Sequence, residues 1–229
     1  MSPEFIQSHT HTHTHVVNIL FFQIIEVLEL TLRQWNKEDT FPLWHLVCHN
    51  VVRNGMSSQN IASKLFTLIQ SHKMLNSDSP HTRMCLRILV SFFGADISRS
   101  VIKQHREDII GNVNSLVEDS SEEEISPQVE NAVASLLFNF SKLFHEDQKD
   151  CMEAGIQLIS SIVSVLLPRI KGPEANYKLI IAAATLIGIH REIQDLAEAL
   201  EFSSRIRRIP KGRMANLDEL INQLNQEYA

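Results

Sequence analysis

The chain has 229 residues, 44% of them hydrophobic and 21% charged, with a formal net charge of −6. That is an ordinary globular composition, long enough for one large domain or two small ones. Seven glycines and seven prolines are few for a sandwich or barrel with many tight turns, and the acidic balance argues against a general nucleic-acid binder, which needs a basic surface.

Residues 1–15, MSPEFIQSHTHTHTH, read as foreign to the fold. Ser-Pro-Glu-Phe resembles a cloning-vector scar, and His9, His11, His13 and His15 resemble a purification tag or a low-complexity tail. Side chains two apart in an extended segment share a face, so a natural metal site is the competing reading. A segment this near a terminus is expected to be disordered. The apolar run Val16 to Leu32 is broken by Asn18, Gln23, Glu26 and Glu29, which argues against a membrane span. No positively charged stretch precedes it, so no secretory signal is expected.

From Val16 onward, helical-period apolar spacing predicts helices over 16–35, 43–54, 57–72, 82–93, 98–104, 106–118, 128–145, 149–167, 174–187, 190–201 and 215–227. Sustained period-two alternation is missing, so the expected fold class is all-α. Breaks fall at Thr40-Phe41-Pro42, Asn54-Gly55, Asp78-Ser79-Pro80, Ser126-Pro127 and Gly172-Pro173. The acidic run Glu118 to Glu124 reads as a solvated loop. Long apolar helices start near 43, 82, 128 and 174, at intervals of 39, 46 and 46. Such a period predicts an armadillo/HEAT-like helical solenoid, in which each unit buries its apolar face against its neighbours. The competing architecture is an irregular bundle of the same helices. The domain is expected over 16–229.

Cys48 lies on one predicted helix with His45 and His49. A Cys nucleophile with a His base is one reading, and a metal shared by the i, i+4 His pair is another. Leu46, Val47, Val51 and Val52 around them favour an ordinary packed helix. Cys48, Cys85 and Cys151 show no metal spacing and read as buried free thiols in a reducing compartment. No GxSxG, HExxH, CxxC or glycine-rich phosphate loop occurs. The expectation is therefore no enzyme, no catalytic residue, no cofactor and no metal.

The polar residues on apolar helices point elsewhere. Arg87 sits in HTRMCLRILVSFF, Asn139 in ASLLFNFSKLF and Lys178 in YKLIIAAATLIG. Counted from predicted helix starts at 82 and 174, Arg87 and Lys178 are at offsets 5 and 4, near one face of stacked units. Polar groups on the inner helices of a solenoid line peptide grooves, so Arg87, Lys178 and Asn139 are the expected partner-binding residues. They would hold an acidic or C-terminal peptide by charge-assisted hydrogen bonds. A second cluster, Arg205, Arg207, Arg208, Lys211 and Arg213, is either a rim that steers an acidic partner or a solvated linker.

Trp35, Phe41-Pro42-Leu43, LRILVSFF, LLFNFS, YKLIIAAATLIG and IQDLAEALEFSSRI, in this order and spacing, resemble the PUL domain that closes proteins of the phospholipase-activating protein family and its fungal ubiquitin-pathway relatives. The resemblance covers about residues 16–209 and extends toward the final helix. It implies an armadillo-like solenoid and a non-enzymatic adaptor that is cytoplasmic and nuclear, and monomeric as an isolated domain. The implied partner is the C-terminal tail of the valosin-containing AAA ATPase, a ubiquitin-selective unfoldase, held in a basic groove; the alternative is a scaffold for another peptide. The family's groove arginine matches Arg87, its basic residue before the LLVALGTL-like helix matches Lys178, and its asparagine matches Asn139. Ser91 departs from the asparagine of the family pattern. His45 and Cys48 stand where relatives often carry Asp and Arg, which implies a less basic groove there. The propeller and ubiquitin-binding module that precede this domain in the family have no counterpart in the chain. It is therefore expected to be an excised domain, and ubiquitin binding is not attributed to it.

Overall fold

A computed structural model of the chain describes residues 21–54, 58–120 and 125–227. The expected metal-binding or tag-like histidines of residues 1–15 lie outside the described residues, as do the last residues of the acidic run. Among the described residues there is no strand, and the fold class is all-α, in keeping with a helical solenoid. No described helix is long and apolar enough to cross a membrane.

The elements are α1 (21–34), α2 (Phe41–Asn54), α3 (Gln59–Ser71), α4 (Pro80–Ser91), α5 (Asp96–Gln104), α6 (Arg106–Glu118), α7 (Pro127–Glu146), α8 (Met152–Ser160), α9 (Leu167–Arg169), α10 (Pro173–Ile187), α11 (Arg191–Ala199), α12 (Phe202–Arg207) and α13 (Ala215–Glu227). Several predicted boundaries move for physical reasons. Pro173 takes the first-turn position that its missing N–H suits, and Pro80 and Pro127, expected as breaks ahead of α4 and α7, likewise occupy the first helical position. The single helix expected over 149–167 is α8, a π-helical stretch Ser161–Leu166 and α9. The widening sits just ahead of Pro168, which cannot donate to a carbonyl four residues back. The helix expected over 190–201 ends at Ala199, because Glu201 adopts a left-handed conformation (φ +59°) and a separate helix, α12, starts at Phe202.

The described residues gather into two compact units. The first comprises residues up to Met74 together with Arg87–Gln104; the second comprises Leu75–Leu86 and everything from His105 on. In the first, Trp44, Val47 and Val51 of α2 and Ile61, Leu65, Phe66 and Ile69 of α3 are buried, and α3 packs on α5. Glu29 of α1 pairs with Lys64 of α3 at 2.9 Å and with Arg33 at 2.6 Å. The hydrogen bond from Lys64 is the main cause of a lowered Glu29 carboxyl pKa.

In the second unit the helices form two rows. α7 packs on α10 and α10 on α13; α6 packs on α8 and α8 on α11. This neighbour-on-neighbour burial is what a solenoid requires. Gly155 of α8 makes one contact possible, since a Cβ there would sit 2.8 Å from Ile193 Cδ1 of α11. The α7 entrance is fastened by Asp78, whose carboxylate accepts the Ser126 N–H and, at 3.0 Å, its hydroxyl.

The α7–α10 pair is set by Glu130. This α7 residue is 5% exposed, and its carboxylate accepts the N–H of Lys171 and of Gly172, each at 2.9 Å. It thus caps the entrance to α10, whose N-cap residue Gly172 has no side chain to do so. A Cβ on Gly172 would lie 2.5 Å from Glu130 Oε2, so the close approach requires glycine. Glu130→Ala is expected to cost about 2–4 kcal/mol by leaving two N–H groups unpaired. Gly172→Ala should cost about 1 kcal/mol or more in the native background and much less beside Glu130→Ala. A denaturant double-mutant cycle measures the difference; additive costs would mean that the two residues do not act as one junction.

Candidate functional site

Cys48 occupies the inward face of α2 at 3% exposure, whereas His45 and His49 are exposed. Burial pushes the Cys48 thiol up, and the Arg87 cation pulls it down by less. A nucleophilic thiol needs the opposite balance. Cys151 is also raised, chiefly by burial and then by Asp147; its Sγ donates to the Phe144 carbonyl at 3.3 Å. Cys48, Cys85 and Cys151 are all buried and unbridged. Among the described residues no three His, Cys, Asp or Glu side chains are grouped to hold a metal, so His45 and His49 have no third ligand there.

Arg87 is the exposed position of a helix whose Met84, Cys85, Leu86, Ile88 and Leu89 are all buried. It belongs to the first unit, whereas Asn139 and Lys178 belong to the second. The observed helix starts, Pro80 and Pro173, put Arg87 and Lys178 seven and five residues in (87 − 80 and 178 − 173) rather than five and four. Two residues are about 200° of helix rotation, so spacing from the helix start does not itself put the two cations on matching faces.

Asn139 and Lys178 lie on α7 and α10, two helices that pack on each other. The N-terminal turns meet at Glu130 and the helices pack along each other, so they run in the same direction. From the Glu130–Gly172 contact, Asn139 lies nine residues along α7 (139 − 130) and Lys178 six along α10 (178 − 172). Their heights differ by about 4.5 Å at 1.5 Å per residue. On α7 the partly exposed stripe is Asn131, Ser135, Phe138 and Asn139; on α10 it is Tyr177, Lys178, Ile181 and Thr185. α8 packs against both helices, and α13 packs against α10.

Lys178 is paired along its own helix. Its Nζ donates to Glu174 Oε1 at 2.8 Å, with Glu174 largely exposed. Such a surface pair contributes little to stability and yields readily to a better-placed anion. The second cluster proves to be partly helical, since Arg205 and Arg207 lie on α12. Arg207 Nε donates to Asn225 Oδ1 at 2.9 Å and Lys211 Nζ to Asn222 Oδ1 at 3.1 Å, both on α13. The role of Glu130 went unread because a lone Glu in a helix pattern resembles any surface Glu. Its contact with the Lys171 and Gly172 N–H groups becomes meaningful only with α10 in place.

A family model described as the PUL domain matches residues 11–227, nearly the whole chain. The match begins inside the segment read above as foreign to the fold.

The burial of Cys48 and Cys151 predicts slow alkylation. With iodoacetamide near neutral pH, both should react at least about tenfold more slowly than an unstructured cysteine, and faster as pH rises above the ordinary thiol range. Peptide mass spectrometry of the native protein reads this out. Rapid labelling of Cys48 would reinstate it as a nucleophile.

Proposed function

Because the chain belongs to the PUL domain family, a family of protein-interaction adaptor domains, we propose that it binds the C-terminal tail of the valosin-containing AAA ATPase in ubiquitin-dependent protein turnover, acting in cytoplasm and nucleus. Lys178 and Asn139 provide one contact: the lysine pairs with an acidic group or the terminal carboxylate, and the asparagine amide holds the tail backbone. Arg87 provides a separate cationic contact. The observation that supports this reading is that Lys178 and Asn139 are partly exposed polar residues on two helices that pack on each other. Lys178 changes partner on binding, from Glu174 to the tail. The resemblance further implies that phosphorylation of the tail tyrosine blocks docking. A phosphate adds about 1.5–2 negative charges and bulk, and in a site shaped for a neutral phenol the steric and desolvation costs outweigh attraction to a few cations.

Arg87→Ala combined with Lys178→Ala should weaken binding of a synthetic tail peptide at least about tenfold, with the helical circular-dichroism signal unchanged. The tyrosine-phosphorylated peptide should bind the native protein more weakly than the unmodified one. Native affinity in the double variant at low salt would remove these residues from the site.

A further inference from the structure

The nine residues 205–213 carry five cations, and the fold divides them. Arg207 and Lys211 are committed to asparagines of α13. The other three, Arg205, Arg208 and Arg213, line a cavity of about 410 Å³ together with Lys171. Apart from Asn176 the rest of its wall is apolar, built from residues such as Leu167, Ile170 and Ile209, and among the described residues no carboxylate lines it. Two described acids are engaged elsewhere. Glu130 accepts the Lys171 and Gly172 N–H groups, and Asp218 accepts the Gly212 N–H at 2.8 Å. Arg205 Nε donates to the Leu200 carbonyl at 3.0 Å. Arg213 reaches the Lys171 carbonyl only at 3.5 Å, the outer limit of a hydrogen bond. Three arginine cations around a cavity that no described carboxylate lines repel one another, and an anion there reverses the sign of that term.

Asn176 adds a second, independent observation. It lines the cavity at 3% exposure. Its Nδ2 donates to the Ile170 carbonyl at 3.2 Å, which fixes the orientation of the amide. The remaining oxygen, Oδ1, is buried with no donor. A buried acceptor without a partner is costly and points to an occupant that supplies an N–H.

We propose that this cavity is a second binding site, specific for an acidic peptide segment in which carboxylates flank an aliphatic side chain. Arginine guanidinium groups pair with carboxylates in a planar, two-bonded fork. The aliphatic side chain covers the apolar wall. A backbone N–H meets the unpaired asparagine oxygen, which a fully ionised inorganic oxyanion has no proton to satisfy. The site is separate from Lys178 and Asn139 and stands or falls independently of the tail-binding reading.

The test is fluorescence anisotropy at low salt with a labelled eight-residue peptide of alternating aspartate and leucine. Arg208 and Arg213 are exposed, so Arg208→Glu with Arg213→Glu should leave the fold intact, checked by circular dichroism and thermal melting. That variant should lose at least about tenfold in affinity, since reversal turns each attraction into repulsion. Serine in place of the leucines should weaken binding several-fold. Lys178→Ala with Asn139→Ala should leave this peptide's affinity unchanged. Equal binding by the charge-reversed protein would overturn the site. Leucine-independent binding that inorganic phosphate displaces at constant ionic strength would replace the peptide with a simple oxyanion. Loss of binding in the Lys178 and Asn139 variant would merge the two sites into one.

Discussion

Much of the second unit depends on one buried carboxylate. Glu130 closes the entrance of α10 by accepting two backbone N–H groups that no residue of α10 is placed to satisfy. A buried charge is tolerated only when it is well bonded. Its two short bonds and the absence of a side chain on Gly172 therefore hold the junction to a narrow geometry. That geometry sets the height of α10 against α7. It also fixes the Ile170-Lys171-Gly172 turn, and Asn176 ties the same turn back to its own helix through the Ile170 carbonyl. The wall of the basic cavity and the candidate tail contact thus share one anchor.

The cations differ in how firmly they are held. Lys178 leans on Glu174 one turn back, a pairing weak enough to exchange. Arg207 and Lys211 support α13, whereas Arg208 and Arg213 are exposed beside a cavity that no described carboxylate lines. A lysine at position 178 offers a point charge, whereas an arginine would offer a two-bonded fork. In the proposed tail contact the Asn139 amide would supply the directional hydrogen bonding that lysine lacks.

The helical class was legible because apolar spacing at period 3.6 runs through almost the whole sequence, and α6 and α13 start and end where the spacing places them. Prolines at 80, 127 and 173 marked helix starts; Pro173 suits the first turn it occupies, and Pro80 and Pro127 lie inside the first turn instead of ahead of it. The break at Glu201 was illegible because a glutamate gives no sign of a left-handed backbone, where glycine would have announced it. The expected helix therefore ran on to 201, α12 went unpredicted, and Arg205 and Arg207 read as either a rim or a solvated linker. The candidate residues themselves were visible as polar side chains on apolar helices. Their spatial relation was not, because counting from helix starts ignores where neighbouring helices touch, and that contact runs through Glu130.

The central claim is that this adaptor domain takes a peptide tail at Lys178 and Asn139. Amide chemical shifts of the isotope-labelled protein, followed while the unphosphorylated ATPase tail peptide is added, test it most directly. The account predicts saturable shifts centred on the partly exposed stripes of α7 and α10, including Asn139 and Lys178, with a further set around Arg87. Saturable binding with these amides unmoved, and shifts confined to other surfaces, would contradict it.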